Sequence, residues 1–167
     1  MPTALYYLHD PFAPDPNCPA RFGSAVIITA EGKILLEKRK DNFRWGIVSG
    51  DMHATETFKD TAVRKTMKET GIKIYPDQLK PLKVFDDPSR IVNFLDGNIY
   101  RIVSFGYVCE LDAIPETKVG EESLELRWVE PSELTDLSLV ITHQEILEYY
   151  LKLKQIDIEL PYRIYRQ

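Results

Sequence analysis

The sequence predicts an α/β fold, with two helices packed on a sheet of many short strands. Three observations carry this. Short apolar runs rich in β-branched residues recur between turn residues. Only residues 57–70 and 143–154 show helical spacing of apolar positions. The first of these stretches lies between strands and the second follows them, which suits helices covering a sheet. At 167 residues, with 44% hydrophobic and 28% charged residues, the chain suits one domain with a real core.

Residues 1–21 read as an arm ahead of the domain. Residues 4–8 suggest a short strand, and Pro11, Pro14, Pro16 and Pro19 then forbid a regular ladder. The domain proper spans residues 22–154. Residues 24–30 form a buried strand, Glu31-Gly32 turns the chain, and residues 33–38 return as its hairpin partner. Residues 44–48 make a third strand, with Trp45 as a core residue.

The first helix begins at Thr57, an N-cap with Asp60 placed to reach back, and ends at Gly71, where a left-handed cap belongs. Phe58, Ala62, Val63, Thr66 and Met67 form its core stripe, leaving Asp60, Arg64, Lys65, Lys68 and Glu69 on the other face. Residues 72–75, 82–85 and 90–95 read as strands. Asp96-Gly97 signals a hairpin into a long central strand, residues 98–111. The alternation of Leu124, Leu126 and Trp128 gives the last core strand. The second helix, residues 143–154, carries a capping-box pattern at Thr142 and Glu145. Residues 155–167 form a tail that reads either as an extra strand or as an extended dimer contact.

The net charge of −5 argues against nucleic acid and acidic membranes as partners. No apolar run approaches the roughly 18 residues that a membrane helix needs. No signal peptide is read at the N-terminus. Cys18 and Cys109 lack metal-ligand spacing and read as free thiols. The expectation is a soluble, cytoplasmic protein.

Residues 50–72 carry the chemistry. Gly50 is followed by Glu56, Arg64, Glu69, Gly71 and Ile72 at a fixed spacing. This resembles the Nudix box: Gly, five residues, Glu, seven residues, then Arg-Glu-apolar-any-Glu-Glu-any-Gly-apolar. The resemblance implies the Nudix fold, a mixed β-sheet core sandwiched between helices. It also implies hydrolysis of nucleoside diphosphate-linked compounds, usually with Mg²⁺, and often a homodimer. Glu69 and Glu56 correspond to metal-site glutamates, and Arg64 to the arginine that holds loop and glutamate geometry. Glu121 and Glu122 lie in the loop where some relatives carry a catalytic base. Ser49 and His53 depart from the commoner family choices of Gly and Glu.

The centre of the box differs. Lys65 and Lys68 replace two glutamates, so the triad at positions 65, 68 and 69 carries +1 where the family carries −3. Positions four apart share a helix face, and an ammonium offers no lone pair to a metal. Weak or absent Mg²⁺ binding is therefore expected. The catalytic candidates are Glu69, Glu56, Arg64 and Glu122. Lys65, Lys68, Arg39 and Arg44 are the candidates for holding a nucleotide-like small molecule. Three readings stand: an impaired hydrolase, a non-catalytic module whose lysines bind a diphosphate directly, and an interaction domain without a ligand. Lys65 and Lys68 also read simply as an ordinary exposed basic face. His9 and His143 show no partner pattern.

Overall fold

The structure, a computed structural model, describes residues 1–161. Among these, nine strands and two α-helices are formed, with 3₁₀ turns at Pro76–Gln78 and Pro131–Asp136. The strands are β1 Leu5–Tyr7, β2 Arg21–Ala30, β3 Lys33–Arg39, β4 Trp45–Gly46, β5 Val48–Asp51, β6 Leu79–Phe85, β7 Ile91–Asn93, β8 Ile99–Leu111 and β9 Ser123–Val129. The helices are α1 Phe58–Thr70 and α2 Ile141–Leu153.

The sheet is mixed and built around β2. This strand runs parallel to β8 over its whole length, Arg21 opposite Ile102 and Ala30 opposite Leu111, and antiparallel to β3 and β5. Because side chains alternate across a strand, β2 feeds two cores. Ala25 and Ile27 join the cluster under α2, with Ile47, Ile146 and Leu147. Val26 and Ile28 join the cluster under α1, with Ala62, Ile72 and Tyr107. Glu31 and Gly32, both at positive φ, make the tight β2–β3 turn.

α1 starts and stops where its sequence dictates. Thr57 Oγ1 accepts from the Asp60 N–H, and Asp60 Oδ2 accepts from the Thr57 N–H. At the other end Gly71 caps in the left-handed region, its N–H donating to Met67 O at 2.9 Å. Its buried face is shifted from the expected stripe. Met67 is 44% exposed, whereas Lys65 and Glu69 are buried. The expected exposed basic face is thus half right, since only Lys68 of the two lysines stands at the surface.

Three further expectations are corrected. α2 is not capped by Thr142, because Leu139 bridges to Trp45 and the Val140 N–H donates to Trp45 O, which carries the helix start back to Ile141. Residues 72–75 form no strand; Ile72 and Ile74 plug the α1-side core, and a 3₁₀ turn follows. β9 pairs with β3 at one edge only, so Leu124 is 48% exposed while Leu126 and Trp128 pack partly against the core. The N-terminal arm contributes β1, paired with β7. In the tail, Ile156, Ile158 and Leu160 pack on the α2-side core, and residues 162–167 lie outside the described residues.

Arg90 ties the sheet to α2. It is 1% exposed and donates to Ile102 O, Thr142 O, Ser104 Oγ and the Glu145 carboxylate. Glu145 therefore serves Arg90 rather than a cap. Burial lowers the Arg90 pKa, and Glu145 opposes that shift. An unpaired buried cation is costlier than an apolar replacement. We expect Glu145→Ala to destabilise the fold by about 3 kcal/mol, and Arg90→Met to destabilise it less. Urea unfolding measures both, and the reverse order would refute the assignment.

Candidate active site

Local structure places the box side chains. A Cβ on Gly50 would lie 2.3 Å from Lys65 Cε, so glycine lets the lysine stem cross β5. Lys65 then runs into a cleft of about 580 Å³ between β2, β3, β5 and α1. Its Nζ lies 3.1 Å from Glu69 Oε1 and 3.3 Å from Glu122 Oε2. Burial would lower the Lys65 pKa, but Glu69 and Glu122 outweigh it and hold the ammonium above its ordinary value. Lys68, at the rim, reaches Glu122 Oε1 at 3.4 Å.

Glu56 is fully engaged elsewhere. Arg64 Nε donates to its Oε2 at 2.7 Å and Arg64 Nη2 to its Oε1 at 2.9 Å, and the His53 N–H and Thr61 hydroxyl also donate to Oε1. The Arg64 hydrogen bonds lower its pKa to about 2. Arg64 also donates to Asp51 O at 2.9 Å, closing the loop between β5 and α1.

Beneath Lys65 lies a carboxyl pair, Glu37 and Glu69, both buried. Burial and then Glu69 raise the Glu37 pKa well above its ordinary value, and burial also raises Glu69, against the pull of Lys65. Glu69 Oε2 has no donor from the other described groups. Burial and the Glu69 charge both favour the protonated form of Glu37, the form that can donate to its neighbour. Ser123 Oγ donates to Glu37 Oε2 at 2.9 Å.

Arg39 lines the cleft, but its guanidinium is bound back to the protein: to Asp41 at 2.9 and 3.0 Å and to Tyr6 Oη at 3.2 Å. Arg44 does not line the cleft, because its Nη1 donates to Ser138 Oγ at 3.2 Å behind β4. Glu122, Glu69 and Lys65 are brought together; Glu56 and Arg64 form a separate pair on the box loop. Glu37 and His143 escaped the sequence reading. The signal for Glu37 was a carboxylate two residues after Leu35, on the α1-facing side of a buried strand. His143 had no local signal, because its partners Ile47 and Ser49 lie far away in sequence.

The side chains do not fit the Mg²⁺ cluster that the family pattern implies. Lys65 Nζ fills the space between Glu69 and Glu122, and Glu56 is spent on Arg64. Among the described residues no group of three metal-ligating side chains converges.

The Arg64–Glu56 pair has a pH signature. Its contribution is complete above the ordinary carboxylate pKa of 4.5 and is lost as pH falls toward about 2. The stability gap between wild type and Arg64→Ala should be constant from neutrality to about pH 5 and close below pH 4.5. Urea midpoints across that range test it; a gap that does not narrow as pH falls from 4.5 toward 2 counts against the pair.

Comparison with known proteins agrees with the geometry. The family described as the NUDIX domain matches residues 20–150. A MutT-like protein of Streptomyces ambofaciens is 25% identical over 113 residues, 68% of this chain and 65% of that protein, so this chain spans under two thirds of that relative's length. The uncharacterized Nudix hydrolase YvcI of Bacillus subtilis (strain 168) is 25% identical over 132 residues, 79% of each chain. The NUDIX domain of Shewanella oneidensis NrtR, solved with ADP ribose, superposes with a TM-score of 0.65 at 16% identity, over 87% of this chain and 94% of that one. With a matching domain over most of its length and the same curled mixed sheet, this chain belongs to the Nudix hydrolase family.

Proposed function

We propose that the cleft receives a nucleoside diphosphate-linked compound and that its metal-dependent hydrolysis is strongly impaired. One observation carries this reading: the ammonium of Lys65, 3.1 Å from Glu69 and 3.3 Å from Glu122, sits where a bridging cation would otherwise draw on those carboxylates. Phosphoryl transfer needs cations to neutralise phosphate oxygens and to activate water. An ammonium supplies positive charge and donors, but it generates no hydroxide. Membership of the hydrolase family supports the substrate class, and the ADP ribose bound by the NrtR domain gives a concrete probe.

A second reading, a non-catalytic binding module, is favoured by the same lysine. Lys65 is buried and held by two carboxylates, so it is ordered before any ligand arrives. Preordering lowers the entropy lost on binding.

The double reversion Lys65→Glu/Lys68→Glu separates the readings. Impaired hydrolysis predicts a large gain of Mg²⁺-dependent turnover on ADP-ribose and a melting temperature raised by Mg²⁺. No gain despite a Mg²⁺-raised melting temperature would refute the lysines as the defect. The binding module predicts that ADP-ribose raises the wild-type melting temperature in EDTA and that Lys65→Ala removes the shift.

A further inference from the structure

The cleft holds a second polar group that the box does not use: Ser49, His143 and Arg39. The Ile47 N–H donates to His143 Nδ1 at 3.0 Å. A backbone N–H can only donate, so Nδ1 is bare and the proton of the neutral ring sits on Nε2. Burial, with Arg39 and Arg90 nearby, pushes the His143 pKa well below its ordinary value and keeps the ring neutral. Gly46 makes the arrangement possible, because a Cβ there would lie 2.4 Å from Nδ1.

Nε2 lies 3.2 Å from Ser49 Oγ and donates to it. In a base–nucleophile pair the ring nitrogen instead accepts the hydroxyl proton. Ser49 is therefore not an activated nucleophile. Arg39 Nη1 approaches the same oxygen at 3.5 Å. With Oγ accepting from His143 and Arg39, its own proton must point elsewhere. Among the described residues no acceptor receives it, and Ser49 lines the cleft.

The wall around this hydroxyl is close to electrically neutral. Asp41 at 2.9 Å answers Arg39, and burial disfavours charge on Glu37, 3.7 Å from the same guanidinium. A neutral donor on such a wall suits a neutral acceptor, whereas a phosphate is drawn to the lysines. We propose that Ser49 donates a hydrogen bond to a neutral hydroxyl or carbonyl oxygen on the non-phosphate part of the ligand. His143 is the positioning residue that fixes the direction of the bond. The inference rests on the diphosphate-compound reading above and assigns Ser49 a share in ligand selection.

Calorimetric titration of wild type, Ser49→Ala and Ser49→Thr with ADP-ribose and with inorganic pyrophosphate tests it. Ser49→Ala should bind ADP-ribose roughly fivefold to tenfold more weakly, the loss of one neutral hydrogen bond, and pyrophosphate as well as wild type does. Ser49→Thr should restore ADP-ribose affinity. Nitrogen-15 NMR of the His143 ring should show the Nε2–H tautomer. An equal loss on pyrophosphate, an unchanged ADP-ribose affinity, or a ring protonated at Nδ1 would each overturn the assignment. A wild type that binds neither probe removes the ligand reading as well, whereas a flat Ser49→Ala series beside a binding wild type removes only Ser49.

Discussion

The ion pair between Lys65 and Glu69 governs the character of the cleft. It sets one ammonium against a buried carboxylate, with a second carboxylate, Glu122, on the other side. Charge inside a protein is tolerated when it is paired and hydrogen-bonded. Here the pairing also accounts for Glu37. Burial and Glu69 both disfavour charge on Glu37, which leaves Lys65 and Lys68 to answer Glu69 and Glu122, two charges against two. The interior of the site is thus electrically complete without an added ion, and the chemistry open to it follows from that balance.

Two glycines make this arrangement sterically possible. Gly50 admits the stem of Lys65 from α1, and Gly46 admits the ring of His143 from α2. Both belong to the short ribbon of β4 and β5, which runs between the two helices. The helices accordingly set the cleft through side chains that lean on bare backbone. Arg64 and Glu56 hold the loop from β5 into α1, so the ribbon is fixed at that end as well.

What the sequence made legible was local. The α1 caps, Thr57 with Asp60 and Gly71, are recognised within one turn of chain, and they form as expected. The β2–β3 hairpin and the Asp96-Gly97 turn are likewise short-range features. The second capping box misled because Thr142 and Glu145 have distant partners: Arg90 takes the Thr142 carbonyl and the Glu145 carboxylate. The box spacing put Lys65, Lys68 and Glu69 on one face, and the resemblance offered Glu122 from the loop before the last strand. It gave no sign that Arg44 turns to Ser138 or that Glu37 and His143 complete the walls, since strand pairing decides both.

The parallel union of β2 with β8 bears on how the cleft comes into being. Arg21 meets Ile102 and Ala30 meets Leu111, and the loop between them must close before that ladder forms. Pairing of such distant segments is slow, because chain entropy is lost before contacts repay it. The lining of the cleft runs from Thr3 to His143, so no early, local fragment contains it. The cleft is consequently complete only when segments from both ends of that span, His143 of α2 among them, have come together.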